Sequence, residues 1–174
     1  MGDSGWWVAV VTGATALGAS WITTRGNARS VRVEAEVTAH AGHVTEARNR
    51  RRDAYRELSA AAHALAEVFW RMEEVDHART RTERARIIED MQAASRHRLS
   101  DVTKASREVF LEGPAGVAKA AAELRREAIA AHRLLLQLED GTEDQRTPYD
   151  SAYRTFRDQH VRFLDLARTA LEVR

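Results

Sequence analysis

The chain has 174 residues, with 27 basic and 26 acidic side chains and a net charge of +1. So even a balance sets up no global field for nucleic acid or acidic substrates, and the length suits one hydrophobic core. The absence of cysteine excludes a disulfide framework and thiolate chemistry. Abundant alanine and arginine with only 2 prolines make a helix-forming mixture.

The first element is WWVAVVTGATALGASWITTR, residues 6–25. Its VAVVTGATALG stretch has the look of a strand entering a dinucleotide-binding glycine loop. That fold needs glycines at fixed places, then a second strand ending in an acidic residue about 20 residues on. Here Ala16 takes a glycine position, and the following sequence is charged with helical spacing. No Tyr-x-x-x-Lys pair occurs, because the only lysines are Lys104 and Lys119. The stretch reads better as a membrane span. Ser4 to Thr24 carries no charge, and as a helix it would cover about 31 Å, close to a hydrocarbon core. Trp6 and Trp7 near one end and Trp21 near the other suit the two interfaces.

A cleaved signal peptide would need basic residues before the apolar core, and Met1 to Gly5 offers only Asp3. Arg25, Arg29 and Arg32 follow the span instead, which predicts a cytoplasmic downstream side. The expected organisation is a single-pass plasma-membrane anchor at 1–25 with the N-terminus outside. A charged helical stalk at 26–53 and a cytoplasmic helical bundle at 54–174 follow. Within the span, Ala9, Gly13, Ala16 and Ser20 share one helix face. Small residues there let two backbones approach, so a homo-oligomer through this face is expected.

Four helices follow. Tyr55, Leu58, Ala62, Leu65, Phe69 and Met72 continue a stripe that starts at Val33, Val37 and Val44. DHARTRTER around 76–82 predicts a turn. The second helix carries Ile87, Ile88, Met91, Ala94, Val102, Ala105, Val109 and Phe110. It should end at LEGP, with Gly113 just past the helix and Pro114 in the first turn of the next. The third has Val117, Ala121, Leu124, Ala128, Ala131, Leu135 and Leu138 in alternating steps of four and three. EDGTEDQ then breaks the chain, Thr147 offers a cap and Pro148 a first helical position. The fourth helix shows Tyr149, Tyr153, Phe156, His160, Phe163, Ala167 and Leu171. Short connections imply an all-α, up-down antiparallel bundle after the anchor and stalk.

Catalytic and metal motifs are missing from this pattern. His40, His43 and Glu46 do not share one helix face, and Glu74 with His77 is the single Glu-x-x-His where a di-iron bundle needs two. His63, His132 and His160 fall near apolar faces and read as core or boundary residues. No nucleophile elbow, Walker loop or Cys-His pair occurs. Neither a cofactor, a metal nor an enzymatic activity is therefore expected. The sharpest charged feature is the run Arg48, Arg50, Arg51, Arg52 and Arg56. It reads as a solvated face balanced by Glu46, Asp53 and Glu57, or as a basic patch for an acidic protein partner. Nucleic acid or lipid fits it less well.

The segments TRGNARS, RRRDAYRELSAAAHAL, FLEGPAGV and YRTFRDQHVRFLDLAR, spread over nearly the whole chain, resemble small membrane-anchored helical proteins of actinobacteria. The resemblance implies an architecture and no catalytic residues. Two functions fit. One is a non-enzymatic, membrane-tethered module that binds an unknown protein partner or itself. The other is a membrane effector or sensor in a stress or defence system, whose span oligomerises and perturbs the bilayer.

Overall fold

The computed structural model describes residues 42, 43 and 45–172. The chain forms two compact units, Met1–Glu46 and Ala47–Arg174, and the description that follows concerns the second. Its helices are α1, which ends at residue 70, α2 (Met72–His77), α3 (Arg81–Glu112), α4 (Ala115–Leu135) and α5 (Glu143–Glu172). No strand occurs among the described residues. Residues 47–53, which the sequence reading gives to the stalk, are part of α1. Among the described residues no helix is long and apolar enough to cross a membrane. The span expected at Ser4–Thr24, and residues 26–41 and 44 of the expected stalk, lie outside the described residues.

Contacts fix the direction of each helix. Along α1, Arg48, Ser59 and Phe69 meet Leu171, His160 and Tyr149 of α5 in turn, so the two run antiparallel. Arg50, near the start of α1, pairs with Glu112 at the end of α3. On α3, Gln92 and Ser95 meet Leu135 and His132 of α4. With links at 78–80, 113–114 and 136–142, α1 to α5 make an up-down antiparallel bundle in which α2 extends α1.

The apolar stripes of the sequence are its core. Leu58, Ala62, Leu65 and Phe69 of α1, Val117, Leu124, Ala131 and Leu135 of α4, and Phe156 and Phe163 of α5 are all buried. Phe69 stands edge-on to Tyr149, Tyr153 and Phe156, with ring centroids 6.1, 5.9 and 5.7 Å away. Such pairs add about 0.5–1.5 kcal/mol each beyond the area they bury. One polar device sits inside. The Ser95 hydroxyl lies 3.0 Å from the Gln92 carbonyl and shares a hydrogen bond of 2.9 Å with His132 Nδ1.

Local chemistry explains the boundaries. Thr80 caps α3, its Oγ1 accepting from the Glu83 amide at 3.1 Å, while the Glu83 carboxylate accepts from the Arg79 amide at 3.0 Å. At Arg71 the ladder tightens to i−3 bonds, from the Arg71 amide to Val68 and from the Glu74 amide to Arg71. The Tyr149 hydroxyl donates to the Phe69 carbonyl at this break, at 2.9 Å.

Several expectations need correction. Gly113 follows α3 as expected, at φ −90°. A Cβ there would lie 2.8 Å from the Val109 carbonyl oxygen and 3.2 Å from the Tyr55 hydroxyl, so close approach is what requires glycine. Pro114 is the N-cap of α4 rather than part of its first turn. Thr147 does not cap α5, which begins at Glu143 and holds Pro148 in its interior. Gly141, at φ +67°, turns the chain early. The Thr142 carbonyl then accepts from the Gln145 and Arg146 amides, and Arg146 pairs with Asp76 and Asp150. The proline forgoes one ladder bond near the helix start, where these contacts hold the extra turn. Phe110 is 69% exposed although it follows buried Val109, because the core stripe of α3 is narrow at its end.

Candidate functional site

α1 and α5 bury their aromatic stripes against each other and leave a groove open to solvent. One section is lined by Arg52, Tyr55, Arg56, Ser59, Ala60, His63, Leu164, Ala167, Arg168 and Leu171. A second, meeting the first at His63, is lined by Ala66, Glu67, Trp70, Tyr153, Arg157, His160 and Val161. Each encloses about 640 Å³. Trp70, Val161 and Leu164 are exposed large apolar side chains, and all three line this groove.

The charges on the walls are unequal. Arg52, Arg56 and Arg168 line the first section and no carboxylate does. Arg168 has an exposed partner in Glu172 at 3.8 Å. Arg52 and Arg56 make no ion pair among the described residues. In the second section Arg157 lies over the Tyr153 ring at 5.9 Å, and Glu67 is 3.5 Å from His63.

His160 sits where the sections meet, its Nε2 3.5 Å from Ser59 Oγ. Burial, with a smaller contribution from the neighbouring His63, holds its pKa below the ordinary histidine value. The pair has the chemical identity of a nucleophile and base, yet Ser59 lies in the middle of α1. Backbone amides of a helix interior are engaged in the helix ladder, so they cannot form the donor pair that acyl transfer needs. The contact therefore reads as a polar seam between two helices.

The predicted basic run is divided by the fold. Arg48 donates to the Leu171 carbonyl, and Arg50 pairs with Glu112 at 3.6 Å, so these two fasten helix ends. Arg51 lies close enough to Tyr55 to oppose the upward pull of burial on its phenol. Only Arg52 and Arg56 face the groove. Ala9, Gly13, Ala16 and Ser20 lie outside the described residues. His63, read from the sequence as a core or boundary residue, has a side chain 72% exposed. His132 is buried, as expected. The Glu74 and His77 side chains have other partners, Arg71 and the Glu73 carbonyl. Among the described residues no group of three or more His, Cys, Asp or Glu is placed to hold a metal ion.

Sequence reasoning missed Trp70, Arg157, Val161, Leu164 and Arg168. One signal was available: residues 157, 161, 164, 168 and 171 repeat in steps of four and three along α5, beside its core stripe. No family model, curated protein or solved structure matches the chain.

Proposed function

We propose that this chain is a non-enzymatic helical interaction module carried on a single N-terminal membrane span. The observation that carries the reading is the groove, which joins exposed apolar side chains to Arg52 and Arg56, two arginines that make no ion pair among the described residues. An exposed apolar strip rimmed by polar residues is the usual mark of an interaction surface. The uncharged Ser4–Thr24 segment and the likeness to small membrane-anchored helical proteins of actinobacteria support the tether.

The test is photocrosslinking in native membranes, with a photoreactive amino acid at position 56 of the full chain. The expected result is a discrete protein adduct, absent when the probe stands at Arg126, an exposed position on α4. Adducts to lipid alone, or identical adducts from both positions, would overturn the reading.

A further inference from the structure

Resting on that reading, we infer that the α1–α5 groove receives an amphipathic helix of a partner protein whose apolar face is flanked by glutamate or aspartate. Shape points to a helix. Two antiparallel helices leave a furrow that a third helix can fill by setting its ridges between theirs. Arg52, Arg56, His63 and Trp70 on α1 are spaced by whole numbers of near-turns, and Arg157, Leu164 and Arg168 do the same on α5. The α1 row from Arg52 to Trp70 is about 27 Å long, the length of about 18 helical residues. An extended peptide would need an open sheet edge to share backbone hydrogen bonds, and helices present none.

Charge selects the sign of the partner. The floor near Leu164, Ala167 and Leu171 is apolar, and its rim carries Arg52, Arg56 and Arg168 with no lining carboxylate. Carboxylates flanking an apolar stripe would meet these guanidiniums in paired hydrogen bonds while the stripe covers Leu164 and Trp70. A second copy of the chain fits less well, since its own groove is rimmed by the same arginines and like charges oppose such pairing.

The experiment uses the full chain in a neutral detergent and a fluorescein-labelled synthetic helix of about 18 residues. The helix carries leucines at i, i+3, i+4 and i+7 with glutamates beside them. Expected are saturable polarisation and weakening as salt rises. The double variant Arg52→Glu/Arg56→Glu should bind about tenfold or more weakly. Leu164→Glu should do the same by opposing the apolar face. Both changes are on exposed residues, and unchanged circular dichroism and melting would show that the fold is intact. Phe110→Ser, away from the groove, should bind like the wild type.

Equal binding of a lysine-flanked helix would overturn the inferred charge preference. So would equal binding by the groove variants, or loss on Phe110→Ser alone. Vesicles of phosphatidylserine that displace the helix while neutral vesicles do not would assign the groove to lipid instead. A protein adduct at position 56 together with failure to bind the acidic helix would remove this inference and leave the interaction module standing. Failure of both would remove the two together.

Discussion

His132 shows how one buried residue can set a pH limit on the fold. Its ring is buried on α4, with Nδ1 hydrogen-bonded to the Ser95 hydroxyl of α3. Burial, and secondarily the nearby Arg96 charge, lower its pKa from the usual value of 6.5. The unfolded chain therefore takes up a proton first as pH falls. The stability owed to the neutral ring is complete above about 6.5 and drains away below it, until the folded protein also protonates. His160 acts in the same direction, since burial also lowers its pKa. Glu74, held below the usual carboxylate range by its hydrogen bond to Arg71, titrates at lower pH and adds little in this window. Urea midpoints should thus be lower at pH 5 than at pH 7.5. His132→Gln should be less stable than wild type at pH 7.5 and show a shallower pH slope. An unchanged slope would mean that the His132 ring is not kept neutral by the fold.

Helices differ in how openly their sequences announce them. α4 was readable in its body because Val117, Ala121, Leu124, Ala128, Ala131 and Leu135 are apolar at every expected step and buried in the structure, although the expected stripe ran on to Leu138 and the helix ends at Leu135. Its neighbours were readable in their middles and misread at their ends. Pro148 drew the predicted start of α5 toward itself. The real start depends on Gly141 and on Asp76, a residue distant in sequence, and local rules cannot see that. Leu124→Ala and Phe163→Ala should each cost about 2–5 kcal/mol by leaving a cavity, whereas Arg126→Ala should cost about 0.5 kcal/mol or less. Gly113→Ala should be destabilising by about 1–3 kcal/mol, because the added methyl presses on a backbone carbonyl and on the Tyr55 hydroxyl. Thermal melts of the variants check these values. A Gly113→Ala protein as stable as wild type would show that the contact relaxes at no cost.

At the scale of the whole molecule, the groove was the least readable feature. It exists because α1 and α5, distant in sequence, turn adjacent faces to solvent, and a stripe on one helix does not reveal which neighbour will stand beside it. The basic run shows the same limit. Of five arginines that look continuous in sequence, Arg48 and Arg50 make helix-end contacts, Arg51 lies near Tyr55, and Arg52 and Arg56 face the groove, since successive helical residues turn about 100° apart. The proposed tether, in contrast, rests on a continuous local signal, an uncharged segment followed by Arg25, Arg29 and Arg32. It predicts that the full chain stays with membranes through a carbonate wash and that a C-terminal phosphatase active only outside the cytoplasm is silent. Gly13→Ile should keep both properties, because isoleucine is no less apolar than glycine. It should nevertheless weaken self-crosslinking, because its side chain would hold apart two backbones that Ala9, Gly13, Ala16 and Ser20 would otherwise let meet. Quantitative release by carbonate would remove the anchor. Retention with undiminished crosslinking of Gly13→Ile would keep the anchor and remove that face as the site of self-association.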